Sequence, residues 1–290
     1  MSASNRRFIL DLVDLTKPRI CFLSLVMAAW GFVLGSPSDE PWGFKLTALL
    51  LGLALVGAAS GVFNQVVEKD IDAKMKRTQK RPLPAGRVLD RQALFLGFFC
   101  LVLGQIILVI GVNALTAILA GLTVLSYIGM YTPSKQTTPF STLIGAIPGA
   151  LPPLMGYTAA TGSFGKMGIW IFGLLFLWQV PHFLAIGWLY REDYQRASLP
   201  ILSVTDENGG EVAKQVLVYL LALIPLTLLP TVWNVTTETY LWGALLLGFA
   251  FLVSGVFLAW KRTLKGARIL FFVSIVYLPV LGGLMVGTLS

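Results

Sequence analysis

The segment Asn64-Gln-Val-Val-Glu68-Lys-Asp70-Ile-Asp72-Ala-Lys-Met-Lys-Arg77-Thr-Gln-Lys-Arg81-Pro-Leu-Pro84 begins at the end of an apolar run over residues 44–67. This segment joins three carboxylates and a block of basic residues to a stretch long enough to cross a membrane. Ionisable groups at the edge of a hydrocarbon core are costly, so a cluster of them there indicates a functional site. The segment therefore predicts a membrane protein whose site lies near one membrane face.

The rest of the chain is as apolar as this run. Hydrophobic residues make up 56% of the sequence and charged residues only 12%, far from the averages of soluble domains. A membrane-spanning helix needs about 20 apolar residues. The stretches that meet this requirement are 20–35, 44–67, 92–112, 114–131, 141–160, 167–190, 213–233, 240–259 and 268–288. We predict an all-α, polytopic integral membrane protein with nine transmembrane helices, forming a single domain over residues 1–290.

The basic residues predict the orientation of these helices. If the N-terminus lies in the cytoplasm, 20 of the 22 Lys and Arg residues fall on the cytoplasmic side, and only Lys45 and Lys166 on the other. This distribution satisfies the positive-inside rule, and nine crossings then place the C-terminus outside. The net charge of +8 therefore reflects topology, and no nucleic-acid partner is expected.

Two long connections, residues 68–91 and 191–212, fall on the cytoplasmic side and carry both acids and bases. We expect them to face one cavity. The span over residues 141–160 contains three prolines and several glycines, which leaves two interpretations. It is either a kinked helix that packs through small residues or a helix shaped to line that cavity.

The spacing of Asn64, Glu68 and Asp72 places all three on one face of a helix, over a rise of about 12 Å. Mg²⁺ binds oxygen ligands and is typically held by one or two carboxylates together with substrate phosphates. We predict that these three residues are catalytic and hold Mg²⁺ on a diphosphate. Asp70 points away from this face in a continuous helix, so it either joins the metal site from a frayed helix end or meets water.

Several cations are candidates for binding the diphosphate itself. Arg77 and Arg81 lie four residues apart in the basic block, and Lys135 is the one cation of its connection. In the second long connection Arg191 is a further phosphate ligand, and we predict that Asp193 holds a second metal ion.

His182 is the one histidine of the chain and lies inside the sixth span, beside Pro181. A lone histidine is commonly a packed core residue. Within a membrane helix that borders a cavity, contact with substrate is the alternative.

These motifs resemble the UbiA superfamily of intramembrane prenyltransferases, and within it the branch that acts on haem. The acidic motif marks the superfamily. The features typical of the haem branch are the run Arg77-Thr-Gln-Lys-Arg81-Pro82, the stretch Gly145-Ala-Ile-Pro-Gly-Ala-Leu-Pro-Pro-Leu-Met-Gly156, and Pro181-His-Phe183. Glu68 stands where the superfamily usually has Asp. Ala197 stands four residues after Asp193, where the superfamily usually has a second acid, and the haem branch similarly lacks that acid.

The resemblance implies nine helices around a central cavity open to the cytoplasm, in the inner membrane of the cell. It implies that farnesyl diphosphate, haem B and water give haem O and diphosphate, with Mg²⁺ as cofactor and haem B as substrate. His182 would contact the haem, and membrane proteins that handle haem downstream would be partners in the bilayer. Two alternatives stay open: a related enzyme acting on a quinone or chlorophyll precursor, and a membrane transporter.

Overall fold

The computed structural model describes residues 3–36 and 43–289, and these residues are almost entirely helical. The α-helices are α1 (Ala3–Leu15), α2 (Pro18–Gly35), α3 (Gly43–Val67), α4 (Lys69–Asp72), α5 (Asp90–Gly111), α6 (Ala114–Leu125), α7 (Thr132–Ser134), α8 (Ser141–Thr161), α9 (Lys166–Leu189), α10 (Arg191–Arg196), α11 (Leu202–Thr205), α12 (Gly210–Val232), α13 (Glu238–Lys261) and α14 (Leu264–Val286). A π-helical segment, Ser126–Tyr131, joins α6 to α7, and an isolated bridge between Thr236 and Leu289 is the one β-type pairing of the described chain.

The nine predicted spans correspond to nine long helical segments of the described residues, counting α6, the π-helical segment and α7 as one. Eight of them are long and apolar enough to cross a membrane, and α8 is the exception. Its three prolines and its glycines lower its hydropathy, and more than half of its residues are buried inside the protein. The all-α membrane fold is thus confirmed, with one span that is less apolar because other helices surround it.

Helix α8 also separates the two halves of the hydrophobic core. Ala146 and Ala150 pack into a cluster built mainly from α9, α12, α13 and α14. Leu151 and Leu154 pack into a second cluster with α2, α3 and α6. A cavity that borders α8 therefore lies between the two halves.

The contact between α2 and α8 is made by glycines. A Cβ atom on Gly156 would lie 1.8 Å from the carbonyl oxygen of Ala28, and one on Gly31 would lie 1.9 Å from the carbonyl oxygen of Pro153. Small residues allow such close approach of two membrane helices. Pro148 and Pro152 of the same helix line the cavity described below, so both interpretations of this span hold for different faces of it.

The helices that carry the charged connections meet at one end of the bundle, which we call the charged end. There the backbone N–H of Lys76 donates to Asp193 at 3.3 Å and joins the two long connections. Helix α1 lies at the same end, where Asp11 forms a 2.9 Å ion pair with Arg87. Between α1 and α2, Lys17 adopts a left-handed conformation with φ of 51° immediately before Pro18.

Candidate active site

A cavity of about 450 Å³ extends from the charged end into the bundle. Its polar and charged lining includes Lys17, Asn64, Glu68, Asp72, Arg77, Arg81, Tyr127, Tyr131, Lys135 and Tyr194. Its wall also contains Leu53, which precedes Asn64 by about three turns of α3 and lies deeper in the bundle. The cavity therefore combines a charged entrance with an apolar interior.

The structure places Asn64, Glu68 and Asp72 together on the cavity wall, on one helical face. The backbone N–H of Glu68 donates to the carbonyl of Asn64 at 2.9 Å, and that of Asp72 to Glu68 at 2.8 Å. Helical spacing thus continues across the junction between α3 and α4. All three side chains are almost completely buried, with 1%, 6% and 1% of their residue surfaces exposed.

Each of these three residues contacts a cation from a different segment. Nζ of Lys17 lies 2.5 Å from Oδ1 of Asn64. Nζ of Lys135 lies 2.6 Å from Oε1 of Glu68, and Nη1 of Arg81 lies 2.5 Å from Oδ2 of Asp72. Asn64, Glu68 and Asp72, which we call the oxygen row, thus each have one side-chain oxygen in contact with a basic side chain. The two ion pairs balance the charge of the buried carboxylates.

Burial and the neighbouring charges shift the pKa values of the two lysines in opposite directions. Burial of the ammonium group, together with the charges of Arg81 and Lys135, lowers the pKa of Lys17 to about 7. Burial also acts to lower the pKa of Lys135, but Tyr131 and Glu68 outweigh it and raise that pKa above its ordinary value. An anion that enters the cavity would meet Arg81 and Lys135 and would itself favour the ammonium form of Lys17.

Arg77 reaches the cavity from the basic block, as Arg81 does. Its guanidinium lies 4.9 Å from the ring centre of Tyr190 and 5.9 Å from that of Tyr194. Its Nη2 atom also donates to the hydroxyl of Tyr194 at 3.4 Å. The two tyrosines hold the guanidinium over the cavity through cation–π contacts.

Three candidates from the sequence lie off the cavity wall. Asp193 accepts a 2.6 Å hydrogen bond from Arg196, and the guanidinium of Arg191 lies 4.7 Å from the ring centre of Trp188. Asp70 is exposed on the outer side of α4. Consistent with this separation, the described residues contain no cluster of three or more His, Cys, Asp or Glu side chains that could hold a metal ion.

His182 is also outside the cavity lining, although the next residue, Phe183, belongs to it. Its imidazole lies between the rings of Trp178 and Phe271, at 4.8 and 5.1 Å between ring centres. Its Nδ1 atom lies 2.7 Å from Oγ of Ser274. The ring is thus fixed at the contact between α9 and α14.

Sequence reasoning missed several residues of the site. The positive-inside pattern includes Lys17 among the topological charges, and the motifs give no role to Tyr127, Tyr131 and Tyr194. The four-residue spacing of Tyr127, Tyr131 and Lys135 was the available signal, since it places all three on one side of a regular helix. In the structure the ammonium of Lys135 lies 4.4 Å from the ring centre of Tyr131.

The sequence model of the UbiA prenyltransferase family matches residues 24–276. The chain belongs to the UbiA prenyltransferase family.

Within this family the chain is similar to proteins named protoheme IX farnesyltransferase. The relative from Solibacter usitatus is 41% identical, over 95% of this chain and 97% of its own length. The relative from Opitutus terrae is 42% identical, over 99% of this chain and 97% of its own length.

Solved structures show the same fold. A digeranylgeranylglyceryl phosphate synthase structure superposes with a TM-score of 0.81 at 15% identity, covering 97% of this chain and 98% of its own. A UbiA homologue from Archaeoglobus fulgidus, bound to GPP and Mg²⁺, superposes with a TM-score of 0.64 at 14% identity, covering 95% of this chain and 99% of its own.

Proposed function

We propose that this protein transfers the farnesyl group of farnesyl diphosphate to a vinyl group of haem B, with addition of water, and releases haem O and diphosphate. The observation that carries the proposal is the cavity, in which paired acids and cations adjoin an apolar interior. The names of the relatives that match nearly the whole chain support haem as the acceptor.

The donor set fits Mg²⁺. Asn64, Glu68 and Asp72 offer an amide oxygen and two carboxylates from one buried face, which is the chemistry this ion prefers. When bound, the ion would neutralise charge on the leaving diphosphate. Asp193 would act as a further ligand only by exchanging its bond with Arg196 for the metal.

The cations that now contact the oxygen row would bind the diphosphate. Lys17, Arg81 and Lys135 each donate to an oxygen that the metal would take over, which frees them for phosphate oxygens. Arg77 is held beside them by Tyr190 and Tyr194. Arg191 now contacts Trp188, so we propose that it binds the diphosphate only after its side chain moves away from that ring.

The apolar interior would hold the prenyl chain and keep water away from it. As the allylic C–O bond breaks, the electron pair stays with the diphosphate and the farnesyl cation bonds to the terminal vinyl carbon. Water then captures the new cation as a hydroxyl and its proton is released. The chain itself supplies position, charge and a dry pocket, and no protein nucleophile is required.

We assign the acceptor to the part of the wall formed by α9 and α11, which includes Phe183, Leu184 and Leu202. His182, on the same helix, would contact the haem from its edge. The proposed setting is the inner membrane of the cell, with the charged end in the cytoplasm and haem-handling membrane proteins downstream.

A mass measurement tests the reaction. Purified protein with haem B, farnesyl diphosphate and Mg²⁺ is expected to give a product heavier than haem B by one farnesyl group and one hydroxyl. A product formed only from a quinone or chlorophyll precursor would favour the first alternative. Passage of an intact substrate across vesicles without chemical change would favour a transporter.

A further inference from the structure

Asn64 is held from two sides by side chains of opposite hydrogen-bonding character. On one side its Oδ1 atom accepts from the ammonium of Lys17 at 2.5 Å. On the other its Nδ2 atom donates to Oγ1 of Thr132 at 3.2 Å. Asn64 is 1% exposed and Thr132 is fully buried, so both side chains are largely removed from bulk water.

The hydroxyl of Thr132 is committed as an acceptor. Its own proton goes to the carbonyl of Tyr127 at 2.8 Å, which leaves a lone pair facing Asn64. In its ammonium form Lys17 can only donate, and its Nζ donates to Oδ1, so it selects the oxygen of the amide. Both neighbours therefore select the same orientation, with the oxygen toward the cavity and the nitrogen away from it.

The π-helical segment fixes the position of Thr132. Both its backbone N–H and its hydroxyl donate to the carbonyl of Tyr127, five residues earlier. In an α-helix the N–H would instead bond to the residue four positions back. π-Helical turns are rare, and those that occur are frequently found at functional sites. This one fixes the residue that contacts Asn64.

We infer that Thr132 is a positioning residue, which orients the amide of Asn64 so that its oxygen, and not its nitrogen, faces the metal–diphosphate. This inference rests on the proposed function. Without the lone pair of Thr132, the amide could rotate and present its NH₂ group, which cannot ligate a cation. Lys17 alone would oppose that rotation, and Lys17 is itself expected to turn toward the diphosphate.

The inference is tested by Mn²⁺ binding with farnesyl diphosphate present and haem B omitted. Binding is measured as the loss of the free Mn²⁺ paramagnetic resonance signal relative to the same farnesyl diphosphate concentration without protein. Thr132→Val is expected to raise the apparent Kd for Mn²⁺ about tenfold, with a modest fall in melting temperature because the buried Nδ2 of Asn64 loses its partner, and Thr132→Ser is expected to restore both. Ser126→Ala is the matched control, because this hydroxyl of the same π-helical segment bonds to Leu122 of its own helix. It is expected to leave the Kd unchanged.

The deciding comparison repeats Thr132→Val in an Asn64→Asp background. A carboxylate presents equivalent oxygens, so it needs no orienting partner, and the penalty should fall to about twofold or less. An equal penalty in both backgrounds would make Thr132 a merely structural residue and overturn the inference alone. If the unaltered protein does not bind Mn²⁺ with farnesyl diphosphate, the proposed function fails and this inference fails with it.

Discussion

Nζ of Lys135 lies 2.6 Å from Oε1 of Glu68, although 67 positions separate the two residues in the chain. The contact joins the connection after the fourth span to the end of α3. Side-chain exposure is 18% for the lysine and 8% for the glutamate, so the pair is largely removed from water. The ion pair stabilises two buried charges and holds the lysine where we propose that the diphosphate binds.

Replacing Lys135 by Gln should therefore affect both stability and binding. A buried carboxylate left without its partner costs about 3 kcal/mol, so the melting temperature in detergent should fall. The KM for farnesyl diphosphate should rise about tenfold, because a charge-assisted contact is lost.

Lys69→Gln is the matched control for this substitution. It breaks the ion pair with Asp90, in which the lysine side chain is 38% exposed and the aspartate side chain 49%. Exposed ion pairs of this kind contribute about 0–1 kcal/mol. A Lys135→Gln variant that behaved like this control would contradict the assigned role.

Asp72→Ala should remove nearly all turnover while the protein remains folded in the membrane. The carboxylate is 1% exposed on the cavity wall, whereas Asp70 lies two residues earlier on the exposed side of the same short helix. Asp70→Ala should consequently retain most of the activity. Rates of haem O formation measured with Mg²⁺ and with EDTA check both points, and full activity of Asp72→Ala or of the EDTA-treated protein would refute a metal site here.

Glu68→Asp should retain more activity than Glu68→Ala. The shorter carboxylate keeps the charge and the oxygen ligands, and only the reach toward Lys135 and the metal changes. Steady-state kinetics over a range of Mg²⁺ concentrations separate the two variants. The expected signature of the aspartate variant is a higher Mg²⁺ requirement with a recoverable maximal rate.

Gly156→Ala should destabilise the contact between α2 and α8. The added Cβ would lie 1.8 Å from the carbonyl oxygen of Ala28, a backbone atom that cannot turn away, and such overpacking costs about 1–3 kcal/mol or more. A Cβ on Gly283 of α14 would meet nothing within 4 Å, so Gly283→Ala should be neutral or stabilise that helix. Thermal unfolding of both variants in the same detergent tests the contrast.

The sequence predicted the helices and the oxygen row because both depend on local periodicity. Apolar length defines a span, and the four-residue spacing of Asn64, Glu68 and Asp72 defines a face. Helix α8 shows where this reasoning weakens, since a helix enclosed by protein does not need the hydropathy of one that faces lipid.

The partners of that row could not be predicted, because they depend on which distant segments meet. Lys17 carries no local signal that distinguishes it from a topological charge. Lys135 stands out as the one cation of its connection, but nothing local indicates that it pairs with Glu68. The π-helical segment could not be predicted from the sequence either, because one wider turn leaves the apolar length of a span unchanged. Whether Asp193 and His182 act in the site stays a prediction that only experiment decides.

The orientation of the bundle gives a separate prediction. If 20 of the 22 basic residues mark the cytoplasmic side, a reporter inserted within residues 73–90 should be labelled inside and one fused after residue 290 outside. Cysteine labelling of intact cells or a pair of fusion reporters makes the measurement. The opposite result at either position would reverse the side from which substrates reach the charged end.

The final prediction concerns His182 and separates haem contact from packing. Ser274 donates its proton to the carbonyl of Phe271 at 2.6 Å, so it accepts from Nδ1 of His182 and leaves Nε2 as the lone-pair nitrogen. If His182 contacts haem, both His182→Ala and His182→Phe should weaken haem B binding, measured by absorbance titration, while affinity for farnesyl diphosphate stays unchanged. His182→Phe is the informative variant, because an aromatic ring preserves the stacking between Trp178 and Phe271 but removes both nitrogens. Wild-type haem affinity in that variant would identify His182 as a packing residue. Loss of farnesyl diphosphate binding with intact haem affinity would show that His182 contributes to the diphosphate site and not to the haem site.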